Sequence, residues 1–374
     1  MTYLPVLSFA VSCLVIWALR PVAPMVGLLD HPGGRKMHVG AVPLIGGIGM
    51  FIALVVGVTL MPATDPDAKY LLGATALLVA VGLVDDRFDA SARARLLAHL
   101  VAAGFAVLMI DGEPRLSFGY AFGAGETVLT GWTATAAAAL LVGGTINAFN
   151  MVDGMDGLAG TMALIALAAL GWTMAFTRDA FGWQLSLVAM GAVIGFLMFN
   201  LPVRFNRRWK VFMGDAGSTL LGFLVAVLCM RLSQEDGAVA PATLLWFVAL
   251  PITDLLVAML RRIARGVSPF HPDRGHLHHR LLDAGLGVRL TLAILAIVAA
   301  LFAAAGMWMH YANVPEAVQF YGFLCAVALV AFTASRASQW AALLVRPRQP
   351  QPATERAASP SNAIDTQPEG TQGE

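Results

Sequence analysis

Residues 290–309 read LTLAILAIVAALFAAAGMWM, twenty positions in a row without a charged side chain. As a helix this stretch is about 30 Å long, the thickness of a bilayer's hydrocarbon core. A helix apolar on every face is either buried in a very large core or surrounded by lipid, and the rest of the chain favours lipid. Ten further runs share its character: Tyr3 to Leu19, Val42 to Met61, Tyr70 to Val84, Leu96 to Ile110, Trp132 to Phe149, Gly157 to Phe176, Trp183 to Phe199, Ser218 to Leu232, Leu244 to Leu260 and Phe320 to Ser335. Across 374 residues, 58% are hydrophobic, 13% are charged and the mean hydropathy is +0.73. Soluble domains are about 45–50% apolar, so a soluble globule is excluded. The expected fold is an all-α membrane protein of eleven spans.

Charge gives the fold a direction. With the N-terminus outside, the cytoplasmic segments carry all 24 lysines and arginines except Lys69, Arg115, Arg178 and Arg231. The positive-inside rule reads this bias as N-terminus out, and an odd number of spans then puts the C-terminus in the cytoplasm. The first run has no Lys or Arg before it and no cleavage site after it, so it is expected to stay as a transmembrane helix. Residues 1–345 form one polytopic membrane domain in this reading. Residues 346–374, rich in Pro, Gln, Ser and Thr, form a disordered cytoplasmic tail. Cys13, Cys229 and Cys325 stand alone in apolar runs and read as small core residues.

The same topology collects the unusual carboxylates at cytoplasmic helix ends. Asp85 and Asp86 close the third span in G-L-V-D-D-R-F-D, Asp153 and Asp156 precede the sixth in N-A-F-N-M-V-D-G-M-D-G, and Asp215 opens the eighth in M-G-D-A-G-S. Acidic groups beside apolar spans are costly unless paired or bound to a cation. Asp85, Asp86 and Asp89 could end a span and pair with Arg87 or Arg93. Asp153, Asp156 and Asp215 could cap the helices that follow them. The other reading is a metal and phosphate site, because Mg²⁺ takes one or two carboxylates together with substrate phosphate oxygens. Asn147 and Asn150 beside Asp153 and Asp156 give far more polar capacity than a helix cap uses.

Half of the eight histidines fall within S-P-F-H-P-D-R-G-H-L-H-H-R, between His271 and His279. Zinc, a solvated surface loop, and donors for diphosphate oxygens alongside Arg274 and Arg280 are three readings of this cluster. In D-H-P-G-G-R-K-M-H, Arg35, Lys36 and His38 lie before the second span. They fit ordinary positive-inside charge or a seat for an anionic lipid headgroup.

Taken in order, D-H-P-G-G-R-K-M-H with P-L-I-G-G, D-D-R-F-D, N-A-F-N-M-V-D-G-M-D-G, G-D-A-G-S and P-D-R-G-H-L-H-H resemble the polyprenyl-phosphate N-acetylhexosamine-1-phosphate transferase superfamily, glycosyltransferase family 4. The resemblance covers about residues 30–286. It implies an eleven-span enzyme of the bacterial cytoplasmic membrane that moves a sugar 1-phosphate from a UDP-sugar to undecaprenyl phosphate and releases UMP. It also implies Mg²⁺ as cofactor, with Mn²⁺ able to substitute. Carried over by motif, Asp215 is the metal ligand. Asp85, Asp86, Asp153, Asp156, His276, His278 and His279 are catalytic. Asn147, Asn150, Arg274, Arg35, Lys36 and His38 bind substrate. The implied partners are a UDP-N-acetylaminosugar, undecaprenyl phosphate and the bilayer, a homodimer being admitted and nucleic acid having no role.

Leu277 between His276 and His278, and Asp89 three residues after Asp86, set the chain apart from the peptidoglycan branch of the superfamily. That branch typically has three consecutive histidines and a lysine after its paired aspartates. The WecA-like branch, with a small aminosugar donor such as N-acetylglucosamine, is the expectation. Phospho-MurNAc-pentapeptide transfer is the alternative within the superfamily. A secondary transporter, the alternative from another class, would place its polar groups near the bilayer midplane and not at one face.

Overall fold

The computed structural model describes residues 3–31, 40–62, 65–108, 114–203, 209–234, 239–269 and 275–336. Each of the eleven apolar runs contributes a helix there, although the run from Val42 opens with a short strand and turns helical only at Gly46. In chain order the helices are α1 (Tyr3–Leu19), α2 (Gly46–Thr59), α3 (Ala68–Phe88), α4 (Ala92–Leu108), α5 (Gly131–Val152), α6 (Leu158–Thr177), α7 (Ala180–Asn200), α8 (Gly214–Gln234), α9 (Pro241–Phe247), α10 (Ala249–Ala264), α11 (Leu277–Asp283), α12 (Val288–Tyr311) and α13 (Glu316–Ser335). Two small antiparallel pairs complete the described elements: β1 (Leu29–Asp30) with β2 (Val42–Pro43), and β3 (Arg115–Ser117) with β4 (Val128–Thr130). Among the described residues, seven helices are long and apolar enough to cross a membrane unaided. Those seven are α3, α5, α6, α7, α8, α12 and α13.

The run from Leu244 to Leu260 departs from the expected single helix. It is broken into α9 and α10, bent by 87°. Pro251 accounts for the break, because it lacks an N–H and its ring collides with the carbonyl four residues earlier, that of Phe247, where α9 ends. The cysteine reading also needs correction, since Cys325 is exposed on α13 while Cys13 and Cys229 are half-buried. α13 is among the least enclosed of the spanning helices, so an apolar run there turns much of its surface outward.

α8 is the centre of the bundle, buried over most of its length, with α2, α3, α5 and α6 around it. Small residues let its neighbours approach to backbone contact, the usual basis of helix packing in lipid. A Cβ on Gly47 of α2 would lie 2.4 Å from the Gly217 nitrogen, and one on Gly82 of α3 would lie 2.4 Å from the Ala216 Cα. Of the two glycines in P-L-I-G-G, Gly47 is used in this way, while Gly46 makes room for the Phe196 ring of α7. That segment is also tied to the strand entering α8, as Gly46 and Gly47 donate to the carbonyls of Phe212 and Met213, each at 3.0 Å. Elsewhere, polar side chains join helices inside the apolar interior: Ser8 and Ser12 of α1 donate to Val188 and Ala192 carbonyls of α7 at 2.8 and 2.9 Å.

This packing aligns the helix ends that carry the acidic motifs. The C-termini of α3 and α5 and the N-termini of α6 and α8 share one end of the bundle. At the opposite end Arg231, on the last turn of α8, pairs with Asp65 at 3.1 Å and Asp179 at 2.8 Å.

Candidate active site

The site is built around the first turn of α8. Gly214 enters it with φ +71°, a conformation costly for any residue with a Cβ. A Cβ there would also lie 2.3 Å from Asp86 Oδ2. The space is needed because Asp86, on the last turn of α3, accepts hydrogen bonds from the backbone N–H of Asp215 at 2.8 Å and of Ala216 at 3.4 Å. A carboxylate on free amides at a helix N-terminus is favoured both by hydrogen bonding and by the helix dipole. Asp86 is therefore the cap of α8, and Asp215 is released from that duty.

Asp215 points into the cluster. Its Oδ1 accepts from Asn150 Nδ2 at 2.7 Å, and the same amide reaches Ser218 Oγ at 3.0 Å. Its carboxyl faces that of Asp85. Asp85 is buried, and its Oδ2 takes an ion pair from Arg95 at 3.0 Å, while Arg95 also lies 3.7 Å from Asp215. Asp85 Oδ1 is buried and accepts no hydrogen bond. The expected partners Arg87 and Arg93 are displaced by Arg95. α3 stops at Asp89, left-handed at φ 53°, and the chain turns back so that the first turns of α4 run beside the cluster. Arg87 instead donates to the Val26 carbonyl and covers the Phe88 ring.

The D-G-M-D-G turn forms the neighbouring wall. Neither aspartate caps α6. The N-cap position belongs to Gly157, whose N–H donates to Asn200 Oδ1 at 2.7 Å, and Asn200 in turn donates to the Val211 carbonyl at 2.8 Å. Asp156 pairs with Lys210 at 2.7 Å. Asn147 lies one turn before Asn150 on α5, its amide 3.5 Å from Met151 Sδ.

Asp153 ends α5. Its side chain is half-buried, beside other carboxylates of the cluster. Burial first, then the carboxylates of Asp215, Asp86 and Asp156, push its pKa well above the usual carboxylate range. A carboxyl that holds its proton in the folded state and loses it when unfolded opposes folding as pH rises through that window. Asp153→Asn is accordingly expected to raise the melting temperature of metal-free protein by a few degrees at neutral and basic pH. The gain should disappear below the unfolded carboxyl's range near pH 4; thermal unfolding followed across pH checks this.

The histidine motif reaches the same turn from α10 and α11. His278 is buried, and a Cβ on Gly154 would lie 2.3 Å from its Nε2. The His279 ring is 4.2 Å from that of His278. His276 faces away, toward Asp254 of α10, with Nδ1 at 3.0 Å from Oδ2. The structure thus brings together Asp85, Asp86, Asn147, Asn150, Asp153, Asp156, Asp215, His278 and His279. Arg35, Lys36, His38 and Arg274 lie outside the described residues. Arg95, Asn200, Lys210 and Asp254 were not singled out from sequence. Asp254 did leave a signal, a lone carboxylate within the apolar stretch L-P-I-T-D-L-L-V.

A helical membrane protein with its carboxylates, amides and imidazoles gathered at one end of the bundle is equipped to hold charged phosphates beside a lipid. Comparison with known sequences makes the class specific. Residues 68–233 match the family model described as glycosyl transferase family 4. The undecaprenyl-phosphate alpha-N-acetylglucosaminyl 1-phosphate transferase of Escherichia coli strain K12 is 39% identical over 346 residues, covering 90% of this chain and 92% of that protein. The proteins of the same name from Salmonella typhi and Pasteurella multocida are 37% and 35% identical, covering 90% and 89% of this chain and 92% and 93% of theirs. The chain belongs to glycosyl transferase family 4.

Proposed function

We propose that this protein transfers N-acetylglucosamine 1-phosphate from UDP-N-acetylglucosamine to undecaprenyl phosphate, releasing UMP and opening the lipid-linked assembly of a cell-surface glycan. The observation that carries this reading is the 39% identity, over nine-tenths of the chain, to a transferase of that name. In the same reading the chain crosses the bacterial cytoplasmic membrane eleven times with its N-terminus outside. The acidic end of the bundle then faces the cytoplasm, as the basic loops favour.

Both reactants are anionic phosphates, so the residues must position them and neutralise charge more than supply covalent chemistry. A lipid phosphate oxygen attacks the β-phosphorus of the nucleotide sugar. The bond from that phosphorus to the oxygen it shares with the α-phosphorus breaks, and UMP leaves with the oxygen. Asp85, held by Arg95 with one oxygen uncommitted, is suited to orient the lipid phosphate or take its proton. Asp86 has turned to the α8 amides and acts by positioning. His278 and His279, with Arg274, steady the diphosphate and sugar, while Asn147 and Asn150 serve the nucleotide side. Arg35, Lys36 and His38 hold the lipid headgroup.

Among the described residues no three His, Cys, Asp or Glu groups form a metal cage. The donor set still fits Mg²⁺, which completes its shell with phosphate oxygens and water. Asp215 would hold it, with Asp85 Oδ1, a buried oxygen accepting no hydrogen bond, beside it. When bound, Mg²⁺ or Mn²⁺ would neutralise charge on the diphosphate.

Purified protein should release UMP from UDP-N-acetylglucosamine only with both undecaprenyl phosphate and Mg²⁺ present. Without substrate, Mg²⁺ at about 100 times its Kd should stabilise the fold by about 2.7 kcal/mol. UMP release that ignores the lipid would overturn the transferase reading. Activity confined to UDP-MurNAc-pentapeptide would move the protein to the peptidoglycan branch.

A further inference from the structure

We propose that His276 is a positioning residue and not a catalytic one: Asp254, His276 and Arg262 form a buried relay that seats α11, and so His278, against the Asp153–Asp156 turn. The inference rests on the reading that this turn lines the active site. It divides the H-L-H-H motif into one anchoring and two substrate-facing histidines.

The relay begins on α10, whose face carries Asp254 and Arg262, both almost wholly buried. Asp254 has two separate tasks. Its Oδ1 accepts the N–H of Leu277, the first residue of α11, at 2.8 Å, and its Oδ2 lies 3.0 Å from His276 Nδ1. Arg262 approaches the other ring nitrogen, with NH2 3.4 Å from His276 Nε2. A guanidinium has only donors, so Nε2 must accept. Nδ1 therefore carries the proton and donates it to Asp254.

With both nitrogens engaged and only 5% of the residue exposed, His276 has no ring atom left for a phosphate or a transferable proton. α10 also holds the chain nearby, as Arg262 donates to the Pro269 carbonyl and Arg261 to the Gly275 carbonyl, each at 2.7 Å. The His278 ring lies nearly parallel to that of His276, 6.0 Å away at 14°. A shift of α11 would therefore move His278 off Gly154.

An asparagine amide can stand where Nδ1–H stands, so His276→Asn keeps the donation to Asp254 while removing Nε2 and all acid–base capacity. UMP release by His276→Asn should stay within about fivefold of the unmodified protein, the worth of one lost hydrogen bond, with an unchanged pH–rate profile. His276→Leu and Asp254→Leu should lose about 10²-fold in kcat, as expected when a reacting group shifts by an ångström, and His278→Asn should lose as much. If His276→Asn is folded yet as inactive as His276→Leu, or loses a limb of the pH profile, the relay is wrong. A second readout is independent of turnover and of the variants' folding: imidazole ¹⁵N shifts should show His276 neutral with the proton on Nδ1. A proton on Nε2, or on both nitrogens, would overturn the assignment. Absence of UMP release from the unmodified protein would refute the proposed reaction, whereas the tautomer would still test the relay.

Discussion

Asp215→Asn should lower UMP release by about 10²–10³-fold, the usual cost of removing one preorganised group facing transition-state charge, without unfolding the protein. The side chain's volume is kept, and the carbonyl oxygen of the introduced amide can still accept from the Asn150 amide that now lies 2.7 Å from Asp215. Asp86 binds the backbone N–H of this residue and not its side chain, so the cap of α8 survives. What is lost is the negative charge facing Asp85. The variant should therefore also lose the stabilisation by Mg²⁺ that is expected of the unmodified protein in thermal unfolding. Full turnover in Asp215→Asn, or an undiminished Mg²⁺ shift, would remove Asp215 as the ligand.

The second large effect belongs to a residue without chemistry. Gly214→Ala should cut turnover by about 10²-fold, because displacements near an ångström in a positioned site cost that much. It should also destabilise the fold by about 1–2 kcal/mol from the left-handed backbone alone. The new methyl group would press on Asp86 Oδ2, and relief can come only by moving Asp86 off the α8 amides or by moving α8. Kinetics and thermal unfolding of the single variant measure both losses. Near-normal kcat would show that the Asp86 cap does not set the geometry of the site.

The helical fold was legible because lipid demands long apolar runs, and these stand out without knowledge of any partner. The break at Val248 was harder to see, as L-L-W-F-V-A-L-P-I-T-D-L-L is apolar enough for a continuous span. Only the step from Pro251 back to the Phe247 carbonyl betrays it. The acidic motifs were legible by residue type, yet the division of labour among them was not. That Asp86 caps α8 depends on a contact 129 residues away in sequence, and that Arg95 replaces Arg87 depends on how tightly the chain reverses at Asp89. Asn200 and Asp254 escaped notice for the same reason. Their partners, Gly157 and His276, are 43 and 22 residues distant; nothing local announces the first, and the lone carboxylate of Asp254 within its apolar run marks a buried charge without naming its partner.

α8 is restrained by charge at both ends, in the sense its own dipole prefers. Asp86 sits on its amides at one end, and Arg231, tied to Asp65 and Asp179, sits on its last turn at the other. Sliding it along its axis would break a carboxylate–amide contact and a guanidinium–carboxylate contact together. The helix is thus locked in axial register by contacts at opposite ends of the bundle.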